Sequence, residues 1–277
     1  SILTDLPNDT MTIFRLGHSS FLLKANEKYW LIDPVFSDRA SPFSFLGPKR
    51  FHQPPISIEQ LPEIEGVIIS HDHYDHLDKS AIKALTKKVN NFIVPLSIGR
   101  DLINWGVEAD NVIELDWWQS IALSGINFTL TPAQHFSGRG ISDGNKTLWG
   151  SWVIQSLEQS VFYSGDSGYF DGFKQIGDKY GPFDLTIIET GAYDKDWPEV
   201  HMTPEQSLQA HIDVKGKKML PAHNGTFDLA FHPWYEPLER ISKLGEENNI
   251  DVITPIIGEP INIKENKNQQ KWWQDLN

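Results

Sequence analysis

The stretch Ser70-His71-Asp72-His73-Tyr74-Asp75-His76-Leu77-Asp78 sets three imidazoles and three carboxylates within eight residues. The apolar run Gly66–Ile69 before it is typical of a strand, and a helical pattern begins near Lys79. Neutral imidazole nitrogens and carboxylate oxygens are good ligands for zinc and other borderline divalent metals. An isolated His-x-His pair would fit a solvated loop equally well. The full His-x-His-x-Asp-His pattern directly after a strand predicts a metal site.

One loop cannot supply all the ligands of two metal ions, so further ligands are expected downstream. Three candidate side chains each follow a strand-like run: His135 after Ile126–Leu130, Asp166 after Val161–Tyr163, and His223 after Met219–Leu220. Each of them alone also fits an ordinary strand-end turn.

Short apolar runs bounded by Gly, Pro, Asn and Asp predict strands along most of the chain. The other predicted strands are Thr12–Phe14, Phe21–Leu23, Tyr29–Ile32, Phe92–Val94, Val112–Leu115, Ser151–Ile154 and Leu185–Ile188. Helical periodicity is present at Lys79–Lys87, Ser97–Trp105, Phe170–Tyr180, Pro204–Ile212 and Glu236–Asn248. Thr203 is the predicted N-cap of the Pro204 helix. Because the strands cluster with helices between them, we expect a mixed sheet and a single domain over residues 1–277.

Composition excludes several classes of protein. The chain has 277 residues with 24 basic and 37 acidic side chains, a formal net charge of −13. That balance argues against a nucleic-acid partner and against an anionic membrane surface. There are no cysteines, which excludes disulfides, thiolate metal ligands and cysteine nucleophiles.

The sequence favours a cytoplasmic protein and leaves a periplasmic or membrane-peripheral one open. No apolar run approaches the roughly 18 residues of a membrane span. The first residues, Ser1–Asp5, lack the basic-then-apolar pattern of a signal peptide. The sequence does not fix the oligomeric state.

Longer motifs carry a family resemblance from Leu16 to Leu238. They are Leu16–Ser19, Asp33–Ser37, Arg39–Pro42, Gly47–Phe51, His71–Asp78, Val112–Trp118, Gln134-His135, Asn145–Trp152, Gly165–Tyr169, Gly181–Leu185, Gly191–Tyr193 and His223–Phe227. Their order resembles the metallo-β-lactamase fold superfamily. More narrowly, it resembles the family of phospholipases D that hydrolyse N-acyl-phosphatidylethanolamine, with its bacterial zinc-dependent hydrolase relatives.

The resemblance implies an α+β fold, a four-layer αββα sandwich with the site at one edge of its two sheets. It also implies two metal ions, zinc in the first place, with manganese or iron as alternatives. One ion would be held by His71, His73 and His135, and the other by Asp75, His76 and His223. Asp166 and a water or hydroxide would bridge them. Asp75 and Asp166 are therefore the expected catalytic carboxylates.

Other residues are candidates for supporting or substrate-contacting roles. We expect His18, Glu189, Tyr193 and His201 to support the metal ligands or contact the substrate. Asp72 or Asp78 is expected to hold a histidine ring. Lys49 and Arg50, in the long proline-rich loop Asp33–Leu61, are candidates for a substrate phosphate. Trp117 and Trp118 are candidates for lining an apolar cleft, although we expect at least one of them to pack in the core.

These features predict a metal-dependent hydrolase, first of all a phosphodiesterase acting on a small-molecule or lipid-like substrate. Ester, lactone or amide hydrolysis on the same dinuclear site is the alternative within enzymes. A di-iron redox protein and a non-catalytic metal-binding module are alternatives of other classes.

Overall fold

The computed structural model describes residues 6–265 and 270–276. Two mixed sheets of seven strands each pack face to face in this part of the chain, and helices cover their outer faces. The predicted α+β class, the mixed sheets and the αββα sandwich are confirmed. None of the described helices is long and apolar enough to cross a membrane.

The described elements follow one another in this order. The strands are β1 (Thr12–Gly17), β2 (Ser20–Ala25), β3 (Lys28–Ile32), β4 (Ile64–Ile68), β5 (Phe92–Pro95), β6 (Val112–Leu115), β7 (Ser120–Leu123), β8 (Ile126–Thr131), β9 (Ser151–Gln155), β10 (Ser160–Tyr163), β11 (Leu185–Glu189), β12 (Lys218–Ala222), β13 (Asp251–Val252) and β14 (Pro260–Asn262). The helices are α1 (Lys79–Leu85), α2 (Gly99–Asn104), α3 (Gly172–Tyr180), α4 (Pro204–Asp213) and α5 (Glu236–Asn248), with short 3₁₀ turns at Ala109–Asn111 and Trp272–Leu276.

Each sheet is antiparallel on one side and parallel on the other. The first has the order β14-β1-β2-β3-β4-β5-β6 and becomes parallel from β3 onward. The second has the order β13-β12-β11-β10-β9-β8-β7 and is parallel from β10 to β13. Parallel strands bring the loops at their carboxyl ends to one edge of a sheet. The loops after β3, β4, β10, β11 and β12 meet in this way.

The space between the sheets is filled by buried aromatic and β-branched side chains. Trp30 of β3 packs on Phe128 of β8 with ring centroids 4.6 Å apart. Trp152 of β9 is fully buried, and its Nε1 donates to the carbonyl oxygen of Ile69 at 2.9 Å. Because that carbonyl lies just after β4, the hydrogen bond ties the second sheet to the loop that begins the histidine motif.

The helices bury the outer faces of the sheets. Ile82 and Leu85 of α1 pack on the outer face of the first sheet, and α3, α4 and α5 cover the second. The N-cap predicted at Thr203 is confirmed: its hydroxyl accepts from the backbone N of Gln206, and the Gln206 side chain accepts from the backbone N of Thr203. This capping box satisfies two of the free donors at the start of α4.

The sequence patterns missed the short strands β7, β13 and β14. β13 has two residues and β14 has three, too few for a hydrophobic period to be recognised. β7 is a four-residue edge strand, none of whose residues is buried. Each of these three strands forms because its backbone pairs with a longer neighbouring strand, and its own residues show no strand propensity that could be recognised in the sequence.

We expect the buried His211 on α4 to make the free energy of unfolding fall as the pH is lowered. Its ring is buried against Thr186, whose Oγ1 lies 2.7 Å from Nδ1, and burial lowers the pKa of His211 to about 4. Between about pH 6.5 and 4 the unfolded chain binds a proton there that the folded chain does not, so this contribution is lost as the pH falls. It amounts to about 3 kcal/mol for a shift of this size.

We expect His211→Gln to remove this part of the pH dependence. Urea unfolding of both proteins at pH 7 and pH 4.5, with chelator present so that metal loss does not contribute, would measure it. Equal losses of stability in wild type and variant would contradict the assignment.

Candidate metal centre

The histidine motif forms a compact turn between β4 and α1, as predicted from the sequence. The backbone N atoms of His76 and Leu77 both donate to the carbonyl oxygen of His73. Asp78 is the N-cap of α1 and accepts from the backbone N of Ser80 at 2.9 Å. The strand end and the capped helix together hold this turn, and its imidazoles face the second sheet.

The first group of side chains combines His71, His73, His135 and Asp166. The four ligand atoms lie within 4.8 Å of one another. His71 Nε2 is 2.9 Å from His73 Nδ1, and His135 Nε2 is 3.3 Å from the same atom. The turn after β4 and the loops after β8 and β10 therefore bring together the residues expected to hold one ion.

The second group combines Asp75, His76 and His223, and it also includes His18. Their ligand atoms again lie within 4.8 Å of one another. Asp75 Oδ2 is 3.1 Å from His223 Nε2 and 3.4 Å from His76 Nε2. His18 Nε2 lies 2.9 Å from the same carboxylate oxygen. His18, a candidate supporting residue from the sequence, thus contacts Asp75 directly.

Asp166 lies between the two groups. Its Oδ1 is 3.0 Å from His76 Nε2, and its Oδ2 is 3.0 Å from His223 Nε2. On the other side, Oδ2 is 3.6 Å from His71 Nε2 and 3.8 Å from His135 Nε2. One carboxylate is therefore within ligand distance of both histidine groups.

The residues fit a pair of divalent cations. His76 Nε2 and Asp166 Oδ1 are both buried, yet no hydrogen bond satisfies either atom although they are 3.0 Å apart. Buried polar atoms without partners are costly unless an ion completes them. Ligand atoms of tetrahedral zinc lie about 3.3 Å apart, given metal–nitrogen bonds of about 2.0 Å. The separations of 2.9–3.8 Å within the groups span that value.

The pKa shifts of Asp166 and His223 show how strongly the charges of the centre interact. Burial alone would raise the pKa of Asp166, but His223 and His76 hold that pKa well below its usual range. Burial alone would lower the pKa of His223, and Asp166 and Asp75 reverse this and raise it to about 10. Without metal, these two carboxylates favour a proton on His223, and a cation held by the neutral ring would occupy the same region of negative potential.

Asp33 supports two of the histidines from behind, a role that sequence reasoning missed. Its carboxylate lies 2.7 Å from His76 Nδ1 and accepts from the Ser70 hydroxyl and the Tyr163 hydroxyl, each at 2.6 Å. The Ser70 hydroxyl in turn lies 2.9 Å from His71 Nδ1. Asp33 directly follows a strand and precedes a proline, so its position at the end of β3 was the available signal.

The expectation that Asp72 or Asp78 holds a histidine ring is wrong. Asp72 accepts from the backbone N of Gly138 and the Thr147 hydroxyl, each at 2.7 Å, and so secures the loop after His135. Asp78 caps α1 and accepts from the backbone of the loop after β3. Both carboxylates face backbone donors because the turn places them on its outer side.

Buried Glu189 and partly buried His201 form a pair beside the centre. His201 Nδ1 lies 2.9 Å from Glu189 Oε2, and the other carboxylate oxygen accepts from the backbone N of Met202 at 2.7 Å. Both residues group with Asp166 and His223 within 4.8 Å. Burial raises the pKa of Glu189.

Tyr193 lies outside all three groups of candidate ligands. Its hydroxyl donates to Glu236 Oε1 on α5 at 2.7 Å, and its ring stacks on His232 with centroids 4.3 Å apart. Trp117 donates its Nε1 to the carbonyl oxygen of Trp149 at 2.6 Å. These contacts engage both side chains with neighbouring segments rather than with the clustered histidines.

The two tip residues of the loop after β3 differ in placement. Arg50 is buried and donates to the carbonyl oxygens of Val35 at 2.9 Å and Ser37 at 3.0 Å. It therefore stabilises the loop from inside, which corrects the expectation that it meets a substrate phosphate. Lys49 is exposed. Trp118 stacks on Tyr180 with centroids 6.4 Å apart.

Comparison with known proteins fits this geometry. The model of the β-lactamase superfamily domain matches residues 29–224. The chain belongs to the β-lactamase superfamily. Its fold is the metallo-β-lactamase fold, and with its His/Asp groups this member is a metal-dependent hydrolase.

Several relatives match most of the chain. A Mycobacterium tuberculosis protein of uncharacterised function is 44% identical over 262 residues, covering 93% of this chain and 70% of that protein. An N-acyl-phosphatidylethanolamine-hydrolysing phospholipase D of Caenorhabditis elegans is 37% identical over 243 residues, covering 83% and 68%. Among solved structures, the metallo hydrolase Igni18 of Ignicoccus hospitalis shares the fold with a TM-score of 0.69 and 21% identity, over 91% of this chain and 97% of that one.

The Asp33 contacts predict that this residue controls metal affinity. We expect Asp33→Asn to weaken binding about 10- to 100-fold, because His76 loses the carboxylate that orients its ring. Competition with a chromogenic chelator would measure the change. Tyr163→Phe, which removes only a donor to the same carboxylate, should have a smaller effect, and Asp184→Asn on the far surface should have none. An unchanged affinity in Asp33→Asn would refute this role.

Proposed function

We propose that this hydrolase is a zinc-dependent phosphodiesterase with a dinuclear centre. His71, His73 and His135 hold one ion, Asp75, His76 and His223 hold the other, and Asp166 bridges the two. The observation that carries the proposal is the position of Asp166, which is within 3.0–3.8 Å of imidazole nitrogens from both groups. A carboxylate has two oxygens and offsets part of the charge of two cations, so it suits a bridging position.

The donor set supports zinc and leaves manganese or iron as alternatives. All candidate ligands are imidazole nitrogens or carboxylate oxygens, and the sequence contains no cysteine. Zinc accepts this mixture in catalytic sites, where a position stays open for water or substrate. When bound, such a pair of ions lowers the pKa of a shared water and offsets the charge that develops on a phosphoryl or carbonyl oxygen.

In this proposal, Asp75 orients the attacking water. Its side chain is 14% exposed, against 2% for Asp166, so it is the more open of the two catalytic carboxylates. His18 Nε2 lies 2.9 Å from one of its oxygens and is not one of the proposed metal ligands. This fixed carboxylate accepts a hydrogen bond from the water and limits its directions of approach.

The Glu189–His201 pair is placed to protonate the leaving group. His201 is 15% exposed and lies beside the centre, with ring centroids 5.0 Å from His223 and 5.4 Å from His135. The hydrogen bond from Nδ1 to Glu189 fixes the tautomer and the orientation of the ring. To donate a proton to a departing alkoxide, this ring has to carry a proton on both nitrogens, so that Nδ1 keeps the hydrogen bond to Glu189 while Nε2 releases its proton.

An apolar rim and a named relative support a lipid-like substrate. The Phe136 ring is 43% exposed and packs against His73 and His135 with centroids 4.6 and 4.8 Å apart. The Caenorhabditis elegans relative is named for hydrolysing a phospholipid diester. An acyl chain of such a substrate could lie against this ring.

Ester or lactone hydrolysis is the second candidate, and the arginines near the centre favour it. Arg139 donates to the carbonyl oxygens of Asp72 and Leu77, and Arg50 is buried within its loop. Both guanidinium groups are thus engaged with backbone oxygens, whereas phosphate recognition commonly uses a free bidentate arginine.

Replacing the bridging carboxylate should nearly abolish turnover. For Asp166→Ala we expect kcat/KM to fall at least about 10³-fold, since the alignment of both ions is lost. The assay compares a chromogenic phosphodiester with an ester and a lactone on metal-loaded protein, with a chelated control. Near-wild-type activity of the variant would rule out the bridging role. Preference for the ester or lactone would move the assignment to carbonyl chemistry.

The proton-donor role of His201 predicts dependence on the leaving group. We expect His201→Gln to reduce the hydrolysis of an alkyl diester about 10²-fold or more, because the alkoxide then leaves without a proton. A p-nitrophenyl diester should lose little, since its leaving group is stable as an anion. Equal losses on both substrates, at unchanged metal content, would show that His201 has another role.

A further inference from the structure

An apolar cavity lies outside the metal centre, between the loop after β3 and the C-terminal 3₁₀ turn. Its volume is roughly 590 Å³, within the range of ligand pockets. Its lining includes Phe51, Gly225, Ile256, Trp272 and Leu276. None of these residues belongs to the groups of candidate metal ligands.

At Gly225 the inner wall of the cavity has no side chain, and this leaves a gap that extends toward the buried Arg15. A Cβ atom built on this glycine would meet only two atoms within 4 Å, Arg15 Nη2 and Trp272 Cη2, each at 3.9 Å. Gly225 has φ of +69°, a conformation that disfavours any side chain there. A ligand atom beside Gly225 therefore reaches van der Waals distance of the Arg15 guanidinium.

Arg15 is a buried cation without a carboxylate partner among the described residues. It is 1% exposed, and its Nη2 donates to the carbonyl oxygen and to Oδ1 of Asn224, at 2.5 and 2.8 Å. Its Nε has no hydrogen-bond partner. A buried charge without a counterion is costly, and an anion at Gly225 would offset that cost.

A second unpaired donor lies in the cavity wall. Nε1 of Trp272 is buried and has no hydrogen-bond partner within residues 6–265 and 270–276. Cη2 of the same indole and Nη2 of Arg15 each lie 3.9 Å from the position that a Cβ atom of Gly225 would take. The remaining wall is predominantly aliphatic and aromatic.

We propose that this cavity binds a single alkyl chain that ends in a carboxylate. The chain occupies the apolar volume between Phe51, Ile256 and Leu276. The carboxylate lies beside Gly225, where it faces the Arg15 guanidinium. This site is separate from the proposed hydrolysis, although Gly225 and the ligand candidate His223 belong to the same turn.

Calorimetric titration of the metal-loaded protein with monomeric decanoate tests the proposal. We expect saturable 1:1 binding, at least about tenfold tighter than that of decanol, because only the carboxylate forms a charge pair with Arg15. Octanoate should bind roughly tenfold more weakly than decanoate, since two methylenes fewer are buried. Absence of saturable binding, or equal affinities of decanoate and decanol, would overturn the proposal.

A matched pair of variants isolates the charge. Ile256 is 49% exposed, so Ile256→Glu and Ile256→Gln are tolerable and differ only by a carboxylate at the cavity. We expect the Glu variant to bind decanoate about tenfold more weakly than the Gln variant, with decanol unaffected by the difference. Leu157→Glu, at a fully exposed site elsewhere, controls for net charge and should match wild type. Equal decanoate affinities in the Ile256 pair would contradict the site.

Two further variants locate the carboxylate. Arg15→Met should lower decanoate affinity at least tenfold and leave decanol affinity within threefold. If Arg15→Met fails to fold, the comparison of Ile256→Glu with Ile256→Gln still tests whether the ligand's carboxylate binds in this cavity. Asp166→Ala should bind decanoate like wild type even if hydrolysis is lost. Loss of decanoate binding in Asp166→Ala would instead place the carboxylate at the metal centre and overturn the proposal, with the hydrolase assignment unaffected.

Discussion

The Asp166 carboxylate is buried where loops from both sheets meet, and imidazoles from both of them surround it. A buried carboxylate of this kind is stable only when hydrogen-bond donors or positive charges lie within a few ångströms of it. Three of the proposed imidazole ligands come from the turn after β4, and the other two, His135 and His223, lie on loops after β8 and β12. The edge of the sandwich therefore has to hold these loops within a few tenths of an ångström if two cations are to share one carboxylate.

The polar contacts between the sheets provide that rigidity. Tyr163 at the end of β10 donates to Asp33 at the end of β3, across the interior of the sandwich. Asp33 in turn lies against His76 and binds the Ser70 hydroxyl beside His71. A buried network of this kind is stable only when all its members are satisfied. The same hydrogen bonds thus join the sheets and orient ligands of both candidate ions.

Much of the fold and the members of the centre could be predicted from sequence because their signals are local. The strand before His71 and the helix after Asp78 have clear hydrophobic periods, and the ligand candidates each follow a strand. Asp33 was missed because its partners are 37 to 130 residues away along the chain. Asp72 carried a misleading signal, since adjacency in sequence does not decide which side of a turn a carboxylate faces. Short edge strands such as β13 form by pairing alone.

The most direct test of the account is the position of the bound metal. Crystals of the metal-loaded protein, measured on both sides of the zinc absorption edge, would give anomalous difference peaks at each ion. A bridged dinuclear centre predicts two peaks that flank the Asp166 carboxylate, one among His71, His73 and His135 and the other among Asp75, His76 and His223. A single peak, or a peak held by Glu189 and His201 in place of either group, would contradict the bridged dinuclear centre.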